Sequence, residues 1–424
     1  MKLPLIVCLL VTTAYARQGF GPGQQDWDHV EVRPGAHEFW WLYETTAEVT
    51  DITEKPLVIW LQGGPGASST GFGNLAEIGP LDENLNTRNH TWVKDVNLLF
   101  IDNPVGTGYS YVDDRIYLTT TNKQIADDLV TCMEGFYNKR PEFRNVPLYI
   151  TSESYGGKMA AEFALELHRR GFENIKGVNM IDSWISPIDS VLYWAPYLLN
   201  VGAIDQQGYD AVDAGAKRTQ KYLEEGKYQE ATNSWGATEG IIMNVAENVD
   251  FYNILKKIKS NCRKAQGGRS LIMKPGIPEC VDEVDYKIDL LMNGKIKEAL
   301  KLNVTWGSQS GIVFNTLGVD FMKPVVDIVA KLLDETNLKV QVVTGQLDLI
   351  VDTPGTIVWV DNMKWSRSSE WPSVPRTALA VNGVNEGYQK KLGQFAVYWV
   401  NRAGHMVPAD NPIAMDSILK DLIN

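Results

Sequence analysis

Ser154 lies in "LYITSESYGGKMAAEFALELHRRG", between two patterns that leave little room for a turn. The apolar run ending at Thr151 reads as a strand, and Met159, Ala160, Phe163, Ala164 and Leu167 recur at helical spacing. A serine at the tightest point, with Gly156 and Gly157 behind it, stands clear of the strand end and in front of a helix N-terminus. That is a place for a nucleophilic hydroxyl, with backbone N–H groups close to the charge its attack would create. A second stretch, "LVIWLQGGPGASS", sets Gly63, Gly64 and Gly66 around Pro65 directly after another strand-like run. A loop without side chains exposes N–H groups, as an oxyanion hole requires. A phosphate loop would end in Lys-Ser/Thr, which is missing here. The base for such a serine comes from only five histidines. His29 and His37 are N-terminal, His90 is inside a glycosylation sequon, and His168 falls on the polar side of a helix. His405, in "RAGHMVPADNP", follows a predicted strand at a loop position where groups of open α/β sheets gather. An acid to orient it comes from "VVTGQLDLIVD", where Asp348 follows an apolar strand and Asp352 competes with it. Ser154, Asp348, His405 is a known chain order for a Ser/Asp/His triad.

The elements that must position these groups are short apolar, β-rich runs separated by helix-like stretches. They cover 56–61, 97–102, 146–151, 177–181, 339–344 and 395–400. Alternation of this kind predicts an α/β fold with a mostly parallel central sheet and helices on both faces. "HEFWWLYETT" around Trp40 reads as an antiparallel strand preceding that sheet. The strand–Ser154–helix junction matches the nucleophile elbow of the α/β-hydrolase fold, usually G-x-S-x-G, although here it is S-E-S-Y-G with Ser152 in place of the first glycine. From 188 to 302 the strand signal fades and helical periodicity takes over, for example over 222–232 and 241–258. This predicts a helical cap inserted in the core, with residues 17–187 and 303–424 forming the hydrolase domain.

The chain has 424 residues, 44% of them apolar, enough for one large core. A net charge of −12 argues against nucleic acid as a partner, since phosphate binding needs a basic surface. Lys2, the apolar stretch from Leu3 to Val11 and "AYA" at 14–16 have the order of a secretory signal peptide, residues 1–16. No later run is long enough to span a membrane, so a secreted or lysosomal location is expected. Asn89 and Asn303 head N-x-T sequons that secretion would make available for glycosylation. Cys262 and Cys280 flank a Gly-, Pro- and Lys/Arg-rich loop and in an oxidising compartment are a candidate disulfide; the basic stretch runs from Lys256 to Lys274 with seven Lys and Arg residues. Cys132, on a helix-like segment, reads as a buried lone thiol. No His/Cys cluster suggests a metal.

Taken together, "WLQGGPGASS", "EIGPL", "NLLFIDNPVGTGYSY", "SESYGGKMAAE", "GQLDLIVD" and "AGHMVP" resemble the serine carboxypeptidase family (peptidase family S10), in the family's order over most of the chain. The resemblance implies Ser154 as nucleophile, His405 as general acid and base, and Asp348 as its orienter. It implies an oxyanion hole from the N–H groups of Gly64 and Tyr155, and recognition of the substrate's C-terminal carboxylate by Gln62, Gly63, Glu77 and Glu153. Met406 matches a residue lining the leaving-group pocket. Two glutamates beside a substrate carboxylate must share at least one proton, because like charges at close range raise a carboxyl pKa, and this predicts activity strongest at acid pH. Without the resemblance, Glu77 reads as an exposed loop acid.

Three departures from the family pattern stand out. Gln62 replaces the usual Asn, Ala67 replaces the Cys of "GGPGCSS", and Ser152 replaces the elbow glycine. The expected activity is removal of C-terminal amino acids from peptides or proteins through an acyl-enzyme, with no cofactor. The rival readings are a serine carboxypeptidase-like acyltransferase and a binding or scaffold protein of low turnover. Side-chain preference, homodimer formation and cleavage within the basic loop are left open by the sequence.

Overall fold

The computed structural model describes residues 19–247, 249–257 and 283–424. The expected signal peptide, the Cys262–Cys280 pair and most of the basic loop lie outside these residues. The strands are β1 (Gln25–Arg33), β2 (Ala36–Tyr43), β3 (Leu57–Leu61), β4 (Asn97–Asp102), β5 (Tyr111–Val112), β6 (Leu148–Glu153), β7 (Ile175–Ile181), β8 (Lys339–Gly345), β9 (Thr377–Val381), β10 (Val384–Leu392) and β11 (Phe395–Val400). They join in one sheet of order β1-β2-β4-β3-β6-β7-β8-β11-β10-β9, with β5 on β2. The six strands from β4 to β11 are parallel, and the strands outside them pair antiparallel. This is the α/β-hydrolase architecture. The strand readings hold to within two residues, and the strand around Trp40 is antiparallel as expected.

Parallel strands covered on both faces need apolar residues at nearly every position. Alternation then divides them between two cores. Leu57, Ile59 and Leu61 of β3 face one layer with Leu148 and Ile150 of β6, whereas Val58 and Trp60 face the other with Tyr149. The first layer is closed by α1 (Asn122–Lys139) and α2 (Tyr155–Arg169), and Cys132 is buried there as a free thiol. The second is closed by the π-helical segment Ser69–Ile78 and the C-terminal helix Pro412–Ile423.

Within the expected insertion, α3 (Pro187–Asn200), α4 (Gln206–Glu224) and α5 (Tyr228–Val245) pack in succession. Two helical readings need correction. Residues 222–232 are split by a turn after Glu224, where Gly226 takes φ +69°. Among the described residues of 241–258 the helix ends at Val245, because the apolar residues of 251–254 turn back onto the loop after β8. Phe251 carbonyl oxygen accepts from the N–H groups of Leu349 and Ile350 at 3.0 Å, and Ile254 N–H donates to Leu347.

Candidate active site

Every expected site residue of the sheet sits at or just beyond the carboxyl end of a parallel strand, where the crevice of an open α/β sheet lies. Ser154 joins β6 to α2 at φ +61°, ψ −129°, an uncommon conformation for a residue with a side chain. Its N–H donates to Ile181 O at 3.0 Å, and its carbonyl accepts from Gly157 N (3.0 Å) and Trp184 N (2.9 Å). The glycines are required by contact. A Cβ on Gly156 would stand 2.3 Å from Leu61 O, and one on Gly63 would stand 2.5 Å from Ser154 Cβ and 2.9 Å from its Oγ. Ser152, in place of the elbow glycine, is buried and donates its hydroxyl to Asn179 O at 3.0 Å.

The Gly63–Ala67 loop passes directly over the serine, with Gly64 at φ +108° and Gly66 at φ +98°. It is anchored from below by Asp102 at the end of β4. That buried carboxylate accepts from Ser68 Oγ (2.7 Å), Thr70 Oγ1 (2.7 Å), Thr70 N (3.0 Å) and Tyr109 N (2.9 Å). Tyr155 opens α2, so its N–H has no intrahelical acceptor.

His405 and Asp348 meet across the ends of β11 and β8. His405 Nδ1 lies 2.7 Å from Asp348 Oδ2, and both side chains are buried. A carboxylate only accepts, so Nδ1 carries the proton and Nε2 keeps a lone pair. Asp352, the competing acid, is engaged elsewhere, since its side chain caps the helix Thr353–Asn362 by accepting from Gly355 N at 2.8 Å. His29 bonds Tyr109 O, His37 stacks on Tyr111, His90 bonds Asp416, and His168 is exposed on α2. Burial holds His405 below the ordinary histidine range, against the upward pull that neighbouring acids exert when ionised.

The register of the sheet assembles the acidic group. Leu61 pairs with Ser152, so Gln62 and Glu153 come side by side on the face that carries Trp60. Trp60 Nε1 donates to Gln62 Oε1 at 2.7 Å, which turns Gln62 Nε2 toward Glu153 Oε1 (2.8 Å) and Glu77 Oε1 (3.2 Å). Glu77, on the π-helical segment, is buried rather than the exposed loop acid that its local sequence suggests. Its other oxygen and that of Glu153 are buried without a donor. Burial pushes Glu77 up to about 7, and burial with the neighbouring Glu77 charge pushes Glu153 well above the usual carboxylate range. A shared proton supplies the donor that the two oxygens lack.

Two residues at the site carried no assignment from the sequence. Asp182 directly follows β7 as Ser154 directly follows β6, a positional signal present in the sequence. Tyr252 offered none, since it arrives from the segment after α5. Its carbonyl accepts from His405 N at 2.6 Å, and its ring meets the imidazole edge-on at 5.1 Å. Met406 beside the histidine is half-buried. Asp182, Asp348 and His405 also form the one group of metal-ligand type among the described residues, their ligand atoms all within 4.8 Å of one another. Here the histidine nitrogen facing the acids is already committed to Asp348. The exposed Asn89 and Asn303 lie on the surface outside this cluster.

Comparison with known proteins gives a consistent picture. The family model described as serine carboxypeptidase matches residues 18–424. The chain is 44% identical to retinoid-inducible serine carboxypeptidase of Rattus norvegicus, over 92% of this chain and 89% of that one. It is 36% identical to serine carboxypeptidase-like 51 of Arabidopsis thaliana, over 96% and 95%. Among solved structures, the prohormone-processing carboxypeptidase Kex1(delta)p of Saccharomyces cerevisiae superposes with a TM-score of 0.80 at 20% identity, covering 94% of this chain and 91% of that one, a likeness of fold.

Proposed function

Because this chain belongs to the serine carboxypeptidase family and is a serine-type carboxypeptidase, we propose that it removes C-terminal residues from peptides at acid pH through an acyl-enzyme on Ser154. The observation that carries this reading is the buried Gln62–Glu77–Glu153 cluster beside Ser154. A general hydrolase has no use for two protonatable acids there, whereas an exopeptidase must recognise a terminal carboxylate.

In this mechanism Ser154 Oγ attacks the last peptide carbonyl while His405 Nε2 takes the hydroxyl proton and Asp348 holds the imidazole. The N–H groups of Gly64 and Tyr155 receive the oxyanion. As the C–N bond breaks, His405 passes the proton to the leaving amine, and the C-terminal amino acid departs past Met406. Water, deprotonated by His405, then cleaves the ester, releasing the shortened peptide and restoring Ser154. Gln62, Gly63 and the protonated member of the Glu77–Glu153 pair hold the terminal carboxylate.

The pH window follows from two signs. His405, lowered by burial, stays neutral and able to accept a proton below the pH at which an ordinary histidine protonates. Glu77, raised to about 7, keeps its donor proton below that pH and loses it above. Activity therefore falls on the acid side as His405 protonates and on the alkaline side as the pair ionises.

The domain and location readings belong to the same proposal. The core is 17–187 with 303–424, and the α3–α5 region within 188–302 is its cap. A signal peptide at 1–16 would deliver the protein to the secretory route, where the exposed Asn89 and Asn303 accept glycans. Among the described residues, no helix is long and apolar enough to cross a membrane.

The test is release of the C-terminal amino acid from N-blocked dipeptides between about pH 4.5 and 7.5, a range spanning glutamate and histidine titration. Release at acid pH by wild type and not by Ser154→Ala supports the proposal. Fastest release above neutrality, or release that survives Ser154→Ala, overturns it.

A further inference from the structure

Asp182 is a buried acid that the mechanism above does not use. It sits at φ +38°, just past the end of β7, its N–H tied to Val343 O at 2.8 Å. Both of its carboxyl oxygens face the N–H of Gly345, at 2.9 and 3.1 Å. Its carboxyl, that of Asp348 and the His405 ring nitrogen lie within 4.8 Å of one another, all three side chains buried. Two carboxylates enclosed at this separation cannot both keep a charge without a large electrostatic penalty.

We propose that Asp182 is a positioning residue that holds a proton and donates it in a hydrogen bond to Asp348, so that the acid pair behind His405 carries a single negative charge. This rests on the reading of His405 as the base. The charge belongs on Asp348, which accepts from Val351 N at 3.2 Å and from the imidazole N–H at 2.7 Å. The proton belongs on Asp182, which among the described residues is met by the Gly345 N–H and the Thr344 hydroxyl. Burial pushes both acids well above the usual carboxylate range; the Asp348 charge adds to the push on Asp182, whereas Asp348 is drawn back by its backbone donors and by the Asp182 hydrogen bond.

The consequence reaches the base. A second full charge behind His405 would raise its pKa and leave it protonated, and so inactive, at acid pH. A neutral Asp182 leaves one charge to orient the ring without overcharging it. Other groups facing this cluster are Glu77, Glu153, Tyr197, Asp250, Tyr252 and Asp352. None of them is altered by the variants below.

The experiment titrates the His405 Nδ1–H resonance by proton NMR in the full-length, substrate-free enzyme, alongside the pH profile of kcat/KM. Asp182→Asn mimics the protonated acid and tolerates a positive φ. It is expected to leave the His405 pKa within about half a unit of wild type. Asp182→Gly keeps the backbone conformation and removes the donor, and it is expected to raise that pKa and the acid limb together by about one unit. The wild type minus Asp182→Asn infrared difference near pH 6 is expected to show one protonated-carboxyl band, the bands of Glu38, Glu77 and Glu153 being common to both and cancelling. A His405 pKa that drops by a unit or more in Asp182→Asn, one that is unmoved in Asp182→Gly, or no such infrared band would overturn the proposal. The resonance and the band are read without substrate, so a failure to hydrolyse peptides would count against the carboxypeptidase reading and leave this one to its own test.

Discussion

His405 and Asp348 are joined by a 2.7 Å contact between Nδ1 and Oδ2, and both are closed off from solvent while Ser154 remains half-buried. The pair arises because β8 and β11 are neighbours in the sheet, with Gly345 opposite Val400. A Cβ at Gly345 would stand 2.1 Å from Gly404 O, so the two loops leave the strands in contact. An acid that fixes the tautomer of the base without competing for water is the arrangement nucleophilic catalysis needs. Replacing Ser154 by Ala or Asp348 by Asn is therefore expected to lower kcat by about 10⁴-fold or more with the folded state retained. Steady-state kinetics with a parallel melting curve checks both halves of that statement.

The glutamate pair should control binding more than turnover. Glu77→Ala is expected to raise KM for peptides about 10- to 100-fold at pH 5, the loss of a hydrogen bond to a charged group. Glu77→Gln, which cannot ionise, is expected to hold KM steady through pH 7 to 8, where that of wild type climbs. A substrate with a C-terminal amide should be indifferent to both changes, and equal effects on acid and amide substrates would refute the carboxylate-binding role.

Stability should carry the same signature. Glu77 has a folded value of about 7 against an ordinary 4.5. Such a group stabilises the fold fully below its unfolded pKa, and that contribution is lost as pH rises toward the folded value. For Glu77 alone the difference is ~3 kcal/mol, and Glu38 and Glu153, both raised by burial, act in the same direction. The melting temperature is expected to be higher near pH 5 than near pH 7.5. A Tm that rises steadily from pH 5 to 8 would contradict this.

Gly63 offers a purely steric test. A methyl there would press on Ser154 Cβ and Oγ at 2.5 and 2.9 Å, so the serine or the loop must move. Gly63→Ala is expected to cost on the order of 10²-fold in kcat/KM, the usual consequence of a misplacement of about 1 Å. Activity within a factor of about two of wild type would show that the loop yields freely.

Much of this protein is legible along the chain. Continuous apolar runs between turn residues mark the parallel strands, and the crowded passage from Thr151 to Met159 marks Ser154, because both signals depend on residues close together in sequence. The helical readings failed where they depended on distant partners. After Val245 the apolar residues Phe251, Tyr252 and Ile254 continue a plausible periodicity, yet they satisfy the loops of Asp348 and His405 instead of a helix. Glu77 looks exposed until the sheet register sets Gln62 beside Glu153 and leaves a buried place for a third polar group. Asp348 is preferred to Asp352 along the chain only by its place directly after the strand, and the structure separates them by joining Asp348 to His405 and giving Asp352 a helix to cap. Asp182 acquires its neighbours from strands that lie more than 150 residues away in the chain. Types and turns are local properties, so the sequence alone determined them. Which acid keeps a proton depends on burial and on charges brought in from other strands, and that only the tertiary structure decided.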